Sequence, residues 1–129
     1  MTNTRPPAVA GMFYPASPDE LRHTVEGLLA AIPVQDALAP KVLIVPHAGY
    51  IYSGSTAAAA YAQLSSVRQQ IRRVILLGPT HRVAVNGLAV PECTHFATPL
   101  GQIELDAPAL SLLRDKPYVV SNDRVQAQE

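Results

Sequence analysis

Two histidines stand in matching surroundings. His47 follows the apolar run Val42-Leu43-Ile44-Val45 and Pro46, and His81 follows Ile71-Arg72-Arg73-Val74-Ile75-Leu76-Leu77 and then Gly78-Pro79-Thr80. Neutral imidazole is a common nitrogen ligand for zinc, iron, copper and nickel. If both runs are neighbouring strands of a parallel sheet, their ends lie about 4.8 Å apart. Open parallel sheets bind ligands in the crevice outside those carboxyl ends, so the repetition predicts a metal site made by topology. A catalytic metal centre takes about three protein ligands and keeps an open position. His95, Cys93, Glu92, Asp123 and Glu129 are the candidates for the third, and no spacing rule selects among them. A lone histidine at a strand end is most simply a capped or solvated surface residue, and His23, on a helix, reads that way. Only the repeated context of His47 and His81 favours a ligand pair.

Other chemistry is weaker. Cys93 has no histidine or aspartate fixed beside it by the sequence, so it reads as a small buried residue and not as a nucleophile. Gly49, Gly54 and Gly78 do not compose a Gly-x-Gly-x-x-Gly fingerprint, and no Gly-Lys-Ser/Thr follows a strand, which excludes dinucleotide and P-loop readings. Ser53, Ser55 and Thr56 open an alanine-rich helix and could hold an anion against its amides, although plain capping explains them equally. Tyr50 and Tyr52 flank His47, and Phe13 with Tyr14 could fold over the same edge, either lining a pocket for a planar ligand or packing the loops.

These residues need elements to hold them. Residues 1–16, with Pro6-Pro7 and Gly11-Met12-Phe13-Tyr14-Pro15, suit an ordered arm. Ser17-Pro18-Asp19-Glu20 is a helix start, with a serine cap, proline at the first position and glutamate three residues after the cap. Leu21, Val25, Leu28 and Leu29 continue it until Pro33. Residues 41–45 and 71–77 have the pattern of strands buried on both faces. With the alanine-rich helix between them they predict a right-handed βαβ unit. Short strands are expected at 87–90, 102–105 and 118–120, and a helix from Asp106 to about Leu113. The segment Val125 to Glu129 closes on polar residues, with no terminal element expected to dock. The class is α/β, a mostly parallel or mixed sheet flanked by helices.

Composition narrows the function. The 129 residues are 48% hydrophobic, with Lys+Arg 10 balanced by Asp+Glu 10 and Cys 1. A net charge of +0 offers no basic field to a nucleic acid. One cysteine rules out an internal disulfide framework and suits a reducing compartment. The first residues lack the apolar core of a signal peptide, and no apolar run approaches a membrane span. A cytoplasmic protein with no membrane or nucleic-acid partner is expected. The prolines, 12 in all, are spread as punctuation between elements.

Ala10-Gly11-Met12-Phe13-Tyr14-Pro15-Ala16, Pro46-His47-Ala48-Gly49-Tyr50-Ile51-Tyr52-Ser53-Gly54, Leu77-Gly78-Pro79-Thr80-His81 and Phe96-Ala97-Thr98-Pro99-Leu100-Gly101 occur in the order and with the gaps of a known family. Together they make the chain resemble the Memo family, which takes in the eukaryotic mediator of cell motility and the prokaryotic AmmeMemoRadiSam system protein B. The resemblance implies the fold of the class III extradiol dioxygenases, whose non-haem iron lies at strand ends. It implies that His47 and His81 are metal-site histidines and that Phe13 and Tyr52 are aromatic positions beside the pocket. The family's remaining ligand, a cysteine or histidine far downstream, has no counterpart in this chain. Residues 1–129 are therefore expected to be the N-terminal half of a larger Memo-like α/β domain.

Three functions follow as expectations. One is redox chemistry at non-haem iron or copper, as in a dioxygenase-like oxidoreductase acting on a small molecule. The alternative is a non-enzymatic module whose pocket recognises an anionic or aromatic group on a peptide. The third is an inactive remnant whose incomplete sheet is covered by an oligomeric copy or a companion chain.

Overall fold

The computed structural model describes residues 3–33 and 39–128. They fall into two compact units, one of residues 10–74 and the other of the chain before residue 10 joined to residues 75 onward.

In the unit of residues 10–74, a tight loop precedes the first helix. Gly11 has φ +81° and its N–H donates to the Tyr14 carbonyl at 2.7 Å. Helix α1 runs from Pro18 to Ala30. Ser17 caps it by accepting from the Glu20 N–H at 3.4 Å, and Pro18 occupies the first position, where its missing N–H costs nothing. Helix α2 spans Tyr50–Tyr61, followed by a single 3₁₀ turn at Ala62–Leu64. The two helices pack closely because Gly54 has no side chain. A Cβ there would lie 3.1 Å from Leu28 Cδ1, tighter than ordinary van der Waals contact. Leu21, Ala58 and Ala62 are buried, so the apolar spacing of α1 and the alanines of α2 supply this core.

The other unit contains the strands. Strand β1 (Thr4–Arg5) runs parallel to β3 (His95–Thr98), with Thr4 opposite His95, and β3 forms an antiparallel hairpin with β4 (Gly101–Glu104). Gly101 turns the hairpin at φ +134°, and the Thr98 hydroxyl bridges the turn, donating to Gly101 O at 3.0 Å and accepting from the Leu100 N–H at 3.1 Å. Strand β2 (Leu88–Val90) pairs in parallel with β5 (Val119–Ser121). Gly87 allows this pairing, since at φ +113° any Cβ would strike the Tyr118 carbonyl, which accepts from the Leu88 N–H at 2.8 Å. Helix α3 (Ala107–Arg114) starts at Asp106, whose carboxylate accepts from the Ala109 N–H at 3.0 Å. Arg114 at its end donates to Pro91 O at 3.0 Å.

The short helix α4 (Asp123–Gln126) corrects the expectation of an undocked end. Asn122 caps it by accepting from the Arg124 and Val125 N–H groups. Val125 is 1% exposed, the most buried large side chain among the described residues. The Gln126 amide donates to Ala89 O at 3.1 Å, and Arg5, lying 3.9 Å over the Phe96 ring, donates to Gln126 O at 2.6 Å.

The larger correction concerns the βαβ unit. Residues 41–45 and 71–77 belong to no helix and no strand ladder, and several of their apolar side chains are largely in solvent, with Ile44 95% exposed and Leu76 80% exposed. A strand's hydrogen bonds are all made to neighbours, and among the described residues these runs have none in a sheet. The fold is mixed α/β with helices and small sheets, in agreement with the α/β class, but the expected pair of parallel strands at 41–45 and 71–77 is not formed among the described residues. No helix is long and apolar enough to cross a membrane among the described residues.

Candidate functional site

His47 follows the first apolar run and is exposed. The loop that follows it is held firmly. Ser53, buried one turn into α2, donates its hydroxyl to Ala48 O at 2.8 Å, and the Ser53 and Tyr52 N–H groups both donate to Gly49 O. Gly49 is the helix cap and has no side chain to offer the amides. A Cβ at Gly49 would lie 3.4 Å from Phe13 O and 3.5 Å from Phe13 Cδ1, at ordinary van der Waals distance, so Phe13 packs directly against the start of the helix. The Tyr50 N–H then donates to Phe13 O at 2.8 Å. In this way the arm, α2 and the loop after His47 meet at one place.

Tyr14 and Tyr50 add a second aromatic contact, their ring centroids 5.8 Å apart and tilted by 44°. Burial pushes the Tyr50 phenol above its ordinary pKa, and the nearby Tyr14 and Tyr61 phenols push in the same direction. Phe13 remains 44% exposed and Tyr52, further along α2, 82% exposed.

The expected anion site takes a different form. The helix begins at Tyr50, so Ser53 lies inside it with its hydroxyl turned onto Ala48 O and Gly49 O. Ser55 and Thr56 are exposed on its surface and do not flank its first amides.

His81 lies in the other unit, exposed, in the segment after the second apolar run. The candidates for a third donor also lie there, and their local roles are visible. Asp123 Oδ1 accepts from the Glu92 N–H at 2.7 Å and the Cys93 N–H at 3.3 Å, so this carboxylate closes the turn after β2. Cys93 is buried, and His95 Nδ1 on β3 lies 2.9 Å from Thr94 Oγ1. Glu129 lies outside the described residues. Among the described residues, no three of His, Cys, Asp and Glu form a group that could hold a metal ion. The turn-closing role of Asp123 had no signal in the sequence, because its partners are some thirty residues away. The Phe13–Gly49 contact was half visible, as a glycine beside a histidine and an aromatic arm with no stated target.

Comparison with known proteins agrees with this arrangement of motifs. The family described as Memo-like protein matches residues 5–129. A MEMO1 family protein of Aquifex aeolicus is 37% identical over 114 residues, covering 88% of this chain and 41% of the relative. The Protein memo-1 homolog of Caenorhabditis elegans is 38% identical over 109 residues, covering 81% of this chain and 29% of the relative. A MEMO1 family protein of Methanocaldococcus jannaschii is 35% identical over 132 residues, covering 95% and 46%. The chain thus spans less than half the length of these curated relatives. With the family pattern matched from Arg5 onward, the chain belongs to the Memo-like family.

Proposed function

We propose that this chain carries the histidine-bearing part of a Memo-type site, with His47 and His81 as two donors to non-haem iron or copper and Phe13 and Tyr52 as walls of the adjoining pocket. The observation that carries the reading is the loop after His47. Its carbonyls at Ala48 and Gly49 are tied to α2, and Phe13 is pinned against Gly49 by the bond from Tyr50. His47, exposed at the head of this loop, suits a ligand that approaches from solvent.

The donor chemistry fits such a metal, since imidazole suits iron and copper. The donor number does not. Two histidines fall short of the usual three protein ligands, and no third donor joins a group with them among the described residues. The described residues therefore do not make a complete metal centre, and no chemical step is assigned to them. Its role in this reading is to supply two donors and a pocket wall to a site completed by further residues.

Metal titration tests this. Anaerobic iron(II) or copper added to the chain is expected to bind weakly, and His47→Ala or His81→Ala to weaken binding further by about 10-fold or more, at least the cost of losing an outer-shell partner. Metal content measured by elemental analysis and quenching of tyrosine fluorescence give independent readouts. Unchanged binding in the double variant would remove the histidines from the site. If a peptide bearing an anionic or aromatic group then bound in a Tyr52-dependent way, the non-enzymatic module would replace this reading.

A further inference from the structure

Two phenols meet where the arm crosses the start of α2, within the unit of residues 10–74. The Tyr14 and Tyr50 ring centroids are 5.8 Å apart and the rings are tilted by 44°, inside the range of aromatic pairs in contact. Main-chain bonds hold both residues in place. The Tyr50 N–H donates to Phe13 O at 2.8 Å, and the Gly11 N–H donates to Tyr14 O at 2.7 Å, so the meeting of the rings does not rest on their side chains alone. Tyr50 is 37% exposed, which leaves part of the pair open to a reagent in solvent.

The rest of the chain offers little competition for one-electron chemistry. Tryptophan, tyrosine and the cysteine thiolate are the side chains that most readily give up a single electron. The chain has Trp 0 and Cys 1, and Cys93 is buried. The exposed Met12 follows a different route, oxygen transfer to the sulfoxide. A one-electron oxidant therefore draws on the tyrosines.

We propose that Tyr14 and Tyr50 are an oxidative cross-linking site, at which one-electron oxidants of the ferryl or photogenerated metal-complex class join the two rings and staple the arm to α2. Each phenol gives one electron to an oxidant and its proton to water. The two phenoxyl radicals combine through the ring carbons next to their oxygens. The hydrogens on those two carbons then move through solvent to the oxygens, restoring both phenols. One carbon–carbon bond forms, two equivalents of oxidant are reduced, and the chain loses two hydrogen atoms. Because the rings are already neighbours, coupling within one chain outruns coupling between chains, which has no such proximity. The new bond closes a long loop and restricts the unfolded chain, as a disulfide does. None of this depends on the histidines acting as metal donors.

The test is illumination of the dilute whole chain with tris(bipyridine)ruthenium(II) and persulfate, in the presence of EDTA. A monomer lighter by two hydrogen atoms, with the blue fluorescence of a biphenol, is expected. Trypsin should leave the Tyr14 peptide joined to the Tyr50 peptide, although Arg22 and Lys41 lie between them. Tyr14→Phe and Tyr50→Phe keep the rings and remove the reacting phenol, and each should lower the yield of this link about 10-fold or more. Tyr52→Phe, Tyr61→Phe and Tyr118→Phe should leave the yield unchanged, although Tyr52 is the most exposed of the five tyrosines at 82%. The linked chain should unfold at a higher urea concentration than the unlinked one. A link that persists in Tyr50→Phe, or one that forms mainly between chains through Tyr52 or Tyr118, would overturn the proposal. So would the absence of any biphenol in the wild type.

Discussion

Tyr50 concentrates several demands on one residue. Its N–H ties the arm to α2 through Phe13 O, its ring meets Tyr14, and its phenol is pushed above the ordinary value of 10.0 by burial and then by Tyr14 and Tyr61. The folded chain thus holds the Tyr50 proton more tightly than the unfolded chain. That contribution is fully present below the unfolded value and is lost as the pH rises through the raised one. Urea unfolding of the wild type and of Tyr50→Phe, compared from pH 7 to 11, should show a gap that is constant up to about pH 10, the phenol's ordinary pKa, and changes beyond it, with the wild type losing stability and the variant spared that loss. A gap flat across the whole range would mean that the phenol titrates normally. The sequence shows this cluster only in part: Phe13 and Tyr14 are expected over the edge that bears Tyr50, but which rings meet depends on packing between distant residues.

At the scale of elements, helices were far more legible than strands, for a physical reason. A helix closes its hydrogen bonds within itself and needs a cap and a stop, both of which are local. Ser17, Pro18 and Glu20 define the start of α1, and Asp106 the start of α3. A strand is half of a pair. Residues 41–45 and 71–77 have the composition of buried strands, yet composition does not say whether a neighbour is present. Conversely β1 and β3, each unremarkable alone, become a ladder because Thr4 and Arg5 lie beside His95 and Phe96. Even for the helices, the crossing of α1 and α2 depends on a detail the periodicity does not carry. Gly54 faces Leu28 at a separation that excludes a Cβ without some give. Gly54→Val is expected to destabilise the chain by about 1–3 kcal/mol through overpacking, read by chemical denaturation. Gly27→Ala, at a position with nothing within 4 Å of an added Cβ, should be neutral or slightly stabilising, since alanine replaces glycine within a helix. Equal losses at both positions would show that the helices do not meet as described.

For the whole molecule, the repeated context of His47 and His81 is legible in the sequence because each half of it is local, a run, a proline and an imidazole. Whether distant residues meet is not legible there, because that depends on how separate parts of the chain pack. The same dependence has a calorimetric consequence. Unfolding raises the heat capacity mainly by exposing apolar surface, about 12–15 cal/mol/K per residue in a fully packed domain. A 129-residue chain would then show an increment of about 1.5–1.9 kcal/mol/K. Here the folded chain already exposes Val42, Ile44 and Val74 through Leu77, surface that unfolding cannot expose again. Differential scanning calorimetry of the chain alone is expected to give an increment clearly below that range, with a correspondingly shallow denaturant dependence, because the denaturant m-value follows the same change in area. Binding of 1-anilinonaphthalene-8-sulfonate to the folded chain should accompany it and should fall when Ile44 and Leu76 are both replaced by aspartate. A full-sized increment would mean that the two runs are buried in solution, and would direct attention to the oligomeric state of the chain.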